Sequence, residues 1–304
     1  MRRSSAILFA LFLSSAATAQ EAIVGRWDIT IHTPDGGLPS WLEIRRSGSR
    51  TLVGQFVGVV GSVRPISRVD VGEGQMRFSI PPQWEQGEND MSFEGRLQGD
   101  RLTGRMTFPD GRRFDWTANR APSLRRLTGP TWAEPVRLFN GKDLTGWRAV
   151  GENQWEVVNG LLRNTRTGGN LVTDREFTDF KLHVEFRYPR GSNSGVYLRG
   201  RYEVQIVDSL GAEPASDLIG AVYGFLAPSE IAAKNAGEWQ SFDITLVGRI
   251  ITVAVNGRTV ICDREIPGIT GGALDSDEGA PGPLLLQGDH GPVEFRNITL
   301  TPAR

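Results

Sequence analysis

Apolar and polar residues alternate with a period of two over most of this chain, which is the pattern of strands with one buried and one wet face. From Ile23 to about Asn119 the runs "GRWDITI", "SWLEIRR", "TLVGQFVG", "QMRFSI", "MSFEGRLQGDRLTGRMTF" and "GRRFDWTA" are separated by Gly, Asp-Gly or Pro. Punctuation at roughly 8–12-residue intervals predicts an antiparallel meander, here about eight strands closing as a small barrel or sandwich. "LQGDRLTG" and "FPDGRRF" carry the glycines that tight hairpin turns require. "GRWDITI" resembles the opening strand of lipocalin-like barrels, although the strands read as too short for a deep ligand cup. The region is expected to be an accessory domain.

"PSLRRLTGPTWAEP", residues 122–135, breaks this rhythm with prolines, a glycine and a basic pair, and reads as a linker. Beyond it the pattern is again β: "VRLFN", "WEVVNGLLRN", "NLVTDREFTDFKLHVEFRYP", "SGVYLRG", "YEVQIVD", "EWQSFDITLVGRIITVAVNGRTV", "PGPLLLQG" and "PVEFRNITLTP". Only "PSEIAAKNAGEW" has helical character. Strands with long connections predict a two-sheet jelly-roll sandwich. The expected organisation is a leader over 1–19, a small β-rich domain over 20–121, the linker, and a jelly roll over 136–304, all-β throughout.

Parity assigns faces within strands. In "FKLHVEFR", Phe180, Leu182, Val184 and Phe186 are the core side and Lys181, His183, Glu185 and Arg187 the wet side. The hairpin "SNSGVYLRGRYEVQIVD", Ser192 to Asp208, keeps its faces unmixed only with an odd-numbered loop. That register sets Arg199 opposite Glu203, Tyr197 opposite Gln205, Leu198 opposite Val204 and Val196 opposite Ile206. Asp208 breaks the parity and is expected at the strand end or after a bulge. The polar side is either a solvated sheet face with an Arg199–Glu203 ion pair or the floor of a site. Its Tyr, Arg, Gln and Asn composition suits the hydroxyls and apolar face of a sugar.

Charge removes some partner classes. With 34 Lys+Arg against 35 Asp+Glu among 304 residues there is no footprint for nucleic acid or an anionic membrane. "MRRSS", "AILFALFL" and "ATA" to Ala19 read as a secretory signal peptide, too short for a spanning helix, so the expected location is periplasmic or secreted, with no membrane attachment after cleavage. The single cysteine, Cys262, allows no intrachain disulfide and is expected as a small core residue of a strand. Nothing in the sequence sets an oligomeric state.

Seven segments, in order, carry a resemblance: "LFNGKDLTGW", "WEVVNGLL", "FTDFKLHVEFR", "NSGVYLRGRYEVQIVDS", "GAVYGFLAP", "EWQSFDITLVGRIITVAVNG" and "GPLLLQGDHGPVEFRNITL". From about Glu134 to Thr301 the chain resembles the 3-keto-disaccharide (3-keto-glucoside) hydrolase family, formerly a domain of unknown function. The resemblance implies a concanavalin A-like jelly roll, a pocket on its concave sheet and a carbohydrate substrate. It also implies cleavage by elimination and hydration: a 3-keto group acidifies the C2 proton, a base removes it, the C1 aglycone leaves and water adds back. Such a route needs a base near C2, a group polarising the C3 carbonyl and an acid for the leaving oxygen.

Glu203, His290 and Glu185 are the catalytic candidates. The carboxylates lie on polar strand faces, and His290 lies in the Gly-rich loop of "LLLQGDHGPVEFRN", where an imidazole titrates near neutrality. Arg199 and Arg201 are candidates for binding a carbonyl oxygen, Gln205 and Gln287 for sugar hydroxyls, and Asn193, Tyr223 and Asp208 for the rim. A divalent metal ion on Glu203, Asp208 and His290 is chemically admissible, as is a calcium in "ALDSDEGAPG", although no His-x-x-x-His spacing occurs. Two other readings stay open: a non-catalytic carbohydrate-binding module, because fold does not fix function, and an endoglucanase of the same fold, against which no closely spaced Glu-x-x-x-Glu or Glu-x-Asp strand is present.

Overall fold

The computed structural model describes residues 21–72 and 74–304, so the expected leader lies outside the described residues. The chain divides after Ala121 into two compact units, the second being Pro122–Arg304.

The first unit is a closed antiparallel barrel of β1 (Gly25–Thr33), β2 (Gly36–Ser47), β3 (Thr51–Val57), β4 (Arg64–Gly72), β5 (Gln75–Ile80), β6 (Met91–Gln98), β7 (Arg101–Thr107) and β8 (Arg113–Arg120). β8 returns to β1, with Ile31 opposite Trp116, so no edge strand is left unpaired. Alternation drives Trp27, Ile29, Ile31, Met91, Phe93, Met106 and Trp116 into one apolar cluster. The strands are longer than the sequence suggested, twelve residues in β2, and they leave a cavity at one end of the barrel.

The second unit is a two-sheet sandwich of the concanavalin A-like jelly-roll kind. Its strands are β9 (Val136–Arg137), β10 (Trp147–Val150), β11 (Trp155–Val158), β12 (Leu161–Asn164), β13 (Asn170–Phe177), β14 (Phe180–Arg187), β15 (Asn193–Leu198), β16 (Tyr202–Val207), β17 (Gln240–Val247), β18 (Ile250–Val255), β19 (Arg258–Glu265), β20 (Gly282–Leu286) and β21 (Val293–Pro302). One sheet runs β10-β13-β20-β15-β16; the other runs β11-β12-β21-β14-β17-β18-β19, with β9 beside β21. Phe180, Leu182, Val184 and Phe186 are buried as parity predicts.

Three expectations are corrected. Residues 122–135 pack on the sandwich: Arg126 Nε donates to Asp179 at 2.7 Å, and Gly248 lies so close to Leu124 that a Cβ there would be 1.9 Å from its carbonyl oxygen. Cys262 is exposed, because the register of β19 slips against β18 between Val253 and Ala254 and turns both Val260 and Ile261 inward. "PSEIAAKNAGEW" is not helical. Its backbone is held from outside instead, Lys234 N donating to Gln240 and Ala232 O accepting from Asn256.

Candidate functional site

The hairpin of β15 and β16 turns through three residues, Arg199, Gly200 and Arg201, so the odd loop forms. Its centre lies one residue earlier than expected: Tyr197 faces Glu203, Gly195 faces Gln205, and Leu198 faces Tyr202. Positive φ at Arg199 (53°) and Gly200 (65°) sets the turn at this position, closed by Arg201 N donating to Leu198 O at 3.1 Å. Parity is preserved. Asn193, Gly195, Tyr197, Glu203 and Gln205 share one face, and Gln287 joins them because its N–H donates to Gly195 O at 2.9 Å, continuing the β15–β20 ladder.

This face is covered. Gly220 to Tyr223 runs along the open edge of β16: Gly220 N donates to Gln205 O, Gln205 N to Ala221 O and Tyr223 N to Glu203 O. Thr270 Oγ1 accepts from Glu203 N at 3.0 Å on the same stretch. Glu203 is left only 4% exposed, and loss of water raises its carboxyl to a pKa of about 8 against the pull of Tyr197 and nearby His290, with Asp289 adding to the rise.

The Tyr197 hydroxyl lies 2.9 Å from both Glu203 Oε2 and Gly271 O. A phenol has one proton to give, and the carbonyl can only accept. That proton goes to Glu203 Oε2 or to Gly271 O, and a carboxyl held neutral by burial keeps its own proton to give to another acceptor. The space for it is provided by Gly195, where a Cβ would lie 2.3 Å from Glu203 Oε1.

His290, with 47% of its side chain exposed, receives its orientation from Asp289, whose Oδ1 is 2.7 Å from Nδ1. That hydrogen bond raises the imidazole above its ordinary value against partial loss of water, and the charge of Asp289 acts in the same direction as the bond. Tyr223, half-buried, is raised by desolvation and then by Glu203 and Asp217. Tyr197, Glu203, Tyr223, Asp289 and His290 thus form one electrostatically coupled group. Around it, the buried Oδ1 of Asn193 and Oε1 of Gln205 and Gln287 accept no hydrogen bond from the protein. Three buried acceptors and a neutral acid on one face are matched by a ligand rich in hydroxyl groups.

The remaining candidates lie elsewhere. Arg199, 1% exposed, turns to the other side of the hairpin, stacks over Tyr202 at 5.1 Å and donates to its hydroxyl at 2.8 Å, so the expected Arg199–Glu203 pair does not form. Arg201 makes a bidentate pair with Asp275 at 2.7 and 3.0 Å and fixes the loop before β20. Glu185 belongs to the other sheet. Burial alone would raise its carboxyl, but Asn297 and Arg296, donating at 2.8 and 2.6 Å, hold it below its ordinary value. Asp208 follows the end of β16, as parity required, and accepts from Gly191 N at 3.0 Å, ordering the turn before β15.

Among the described residues no three His, Cys, Asp or Glu side chains converge as metal ligands. In "ALDSDEGAPG", Asp275 is bound to Arg201 and Glu278 to Arg249. These residues do not fit a metal site. The 360 Å³ cleft lined by Arg163, Arg187, Tyr188 and Glu294 contains none of the coupled group. Sequence reading missed Tyr197 as a site residue, Gly195, Thr270 and Asp289; the Asp-His dipeptide in "GDHG" was a signal for the last.

Comparison with known proteins places this geometry in context. The 3-keto-alpha-glucoside-1,2-lyase-like domain matches residues 134–301. A 3-keto-disaccharide hydrolase of Bacteroides thetaiotaomicron is 27% identical over 75 residues, 20% of this chain and 26% of the relative, so the match spans about a quarter of that protein's length. A protein of Parabacteroides distasonis, named a candidate glycosyl hydrolase, superposes with a TM-score of 0.48 at 26% identity, covering 60% of this chain and 96% of the other. The carbohydrate binding module CBM66 of Bacillus subtilis has a TM-score of 0.37 at 13% identity, covering 52% and 96%.

Proposed function

The chain belongs to the 3-keto-alpha-glucoside-1,2-lyase-like family, and from that premise we propose that it cleaves 3-keto-glucosides or 3-keto-disaccharides by elimination and hydration. One observation carries the reading: Glu203 is a buried carboxyl held neutral to about pH 8 among unmatched acceptors on one sheet face. A neutral carboxylic acid donates a hydrogen bond at physiological pH. It is therefore suited to the C3 carbonyl oxygen, on which negative charge develops as the C2 proton leaves.

His290 is the proton carrier. With Nδ1 held by Asp289, Nε2 takes the C2 proton, the C1–C2 double bond forms as the C1–O bond breaks, and the imidazolium returns that proton to the departing oxygen. Water then adds at C1 of the enone and C2 regains a proton, giving the free 3-keto sugar and the aglycone alcohol. Asn193, Gln205 and Gln287 accept from the ring hydroxyls. The direction of the Glu203 shift supports its role, since the group that must stay protonated is the one raised to about 8.

The test is aglycone release from a 3-keto-glucoside across a pH series. The expected profile rises as His290 loses its proton and falls near pH 8 as Glu203 ionises; in Glu203→Gln, whose amide donates at every pH, the alkaline fall disappears. No release from several aglycones would sink the activity. A rate that climbs through pH 8 would instead make ionised Glu203 the base. Export is part of the same proposal, supported by the leader-like residues 1–19: N-terminal sequencing of the protein from cell fractions is expected to begin after Ala19, and intact Met1 in the mature pool would refute it.

A further inference from the structure

The barrel is filled unequally along its axis. At one end Trp27 is fully buried, its indole N–H donates to Ile23 O at 2.9 Å, and the Arg120 guanidinium lies 4.3 Å over the ring while donating to Val24 O at 3.0 Å. That end is plugged. Further along, Trp116 occupies the interior over Gly95 and Gly104, where a Cβ at either position would come within 2.7 Å of the indole. At the opposite end side chains no longer fill the space. A cavity of about 600 Å³ remains, lined by Ile31, Leu38, Phe56, Met91, Met106 and Phe114 among others. Small barrels without a ligand are filled by their own side chains, whereas this volume falls within the ~300–1,000 Å³ of small-molecule sites.

The lining indicates the class of occupant. Phe108 and Phe114 meet edge to face at the mouth, 5.5 Å between centroids, and the Arg112 guanidinium lies 5.6 and 5.8 Å from the two rings. Met91 and Met106 supply adaptable thioethers, which pack favourably against ring edges. Beside the mouth, Trp84 is 68% exposed on a loop whose indole lies over Gly61, where a Cβ would be 2.7 Å from the ring. Charge at the mouth is balanced. Arg64 pairs with Glu85 at 2.8 Å, Arg112 with Asp110 at 2.7 Å, and Asp35 and Arg113 add one charge of each sign. An ionic ligand finds no net field there, and an aromatic one finds ring and sulfur contacts.

We infer that the barrel is a binding domain for a neutral aromatic small molecule, seated against Phe56, Met91, Met106 and Phe114. This goes beyond the chemistry of the sandwich and does not depend on it.

The probe is N-phenyl-1-naphthylamine added to the full chain, followed by its fluorescence and by the methyl signals of methionine in a labelled protein. Saturable enhancement at one probe per chain is expected, with Met91 and Met106 methyls shifting along the same curve. Val59→Trp and Leu38→Trp, which add bulk from half-buried lining positions, should each weaken binding about tenfold or more, while Glu203→Ala should leave it unchanged. Absence of saturable enhancement would overturn the inference, as would unshifted Met91 and Met106 methyls, which need no variant to observe. Undiminished affinity in a folded filler variant, or loss of binding in Glu203→Ala, would also overturn it. Aglycone release is measured separately, so an inactive sandwich does not count against the barrel.

Discussion

The outer faces of the two sandwich sheets have the same sequence pattern and opposite fates. On β14, Lys181, His183, Glu185 and Arg187 stand on a partly solvated face, where charges find charges: His183 with Asp243, Glu185 with Arg296, Arg187 with Glu294. On β15 and β16, Tyr197, Glu203 and Gln205 occupy the corresponding side but are enclosed, Gly220–Tyr223 bonding along the edge of β16 and Thr270 and Gly271 bonding to Glu203 N and the Tyr197 hydroxyl. The consequence is visible in two glutamates. Glu185, supplied with an arginine and an amide, is driven toward ionisation; Glu203, supplied with a phenol and little water, is held protonated to about pH 8. Strand alternation decides which residues share a face, and the connections decide which face becomes a site.

The largest test of this contrast is turnover. His290→Ala should lower kcat by about 10²–10⁴, the usual worth of a positioned proton carrier, and Glu203→Ala by about 10²–10³ as the carbonyl loses its donor. Glu185→Ala should leave kcat near wild type. Equal losses at Glu185 and Glu203 would mean that the covered face is not the site.

Next in size is the pH dependence of stability. Glu203 holds its proton to about pH 8 in the folded protein, while a glutamate in the unfolded chain releases it near 4.5. Between those values the native state binds the extra proton, so stability is full below about pH 4.5 and falls as pH rises toward 8, by an amount on the order of a few kcal/mol. His290, also raised, contributes with the same sign above its ordinary value. Thermal melts from pH 5 to 8 should show Tm falling in the wild type and falling less in Glu203→Gln; parallel curves would show that burial does not perturb Glu203.

Gly195→Ala probes the space under that carboxyl. The new Cβ would meet Glu203 Oε1 at 2.3 Å, so either the strand or the carboxyl must move, at a cost of about 1–3 kcal/mol as in other overpacked interiors. Activity should fall with stability, and the alkaline limb should shift as Glu203 is displaced toward water. An unchanged melt and pH profile would show that the carboxyl does not rest over Gly195.

Much of this fold was legible because alternation and turn glycines are local signals: the barrel, the sandwich, the buried row from Phe180 to Phe186 and the odd hairpin loop follow from them. The hairpin centre was misplaced by one residue because parity distinguishes odd from even loops but not one odd register from another; Arg199 accepts φ of 53°, which only the turn reveals. Glu203, Gln205, Gln287, Asn193, Tyr223 and His290 are brought to one region, whereas Glu185, Arg199 and Arg201 are not. The two arginines were misplaced for different reasons. Arg201 has its partner, Asp275, far along the chain, where strand periodicity carries no information, whereas Arg199 lies within the turn, and its pairing with Tyr202 three residues on follows from the register that parity left open. Gly195 was invisible for a related reason: its importance lies in what a Cβ would strike.

The smallest expected effect belongs to the solvated face, and its smallness is informative. Glu185→Gln removes the charge that Arg296 Nε meets at 2.6 Å, yet the arginine keeps its contact with Trp239, its guanidinium 3.9 Å above the ring. With the two side chains 22% and 38% exposed, water and the aromatic face compensate for most of the loss, leaving about 0.2–1 kcal/mol of destabilisation that shrinks further in salt. Chemical denaturation at low and high ionic strength measures it. A loss of several kcal/mol insensitive to salt would mean that Glu185 behaves as a buried ion, and the two faces would then differ in chemistry less than their coverage implies.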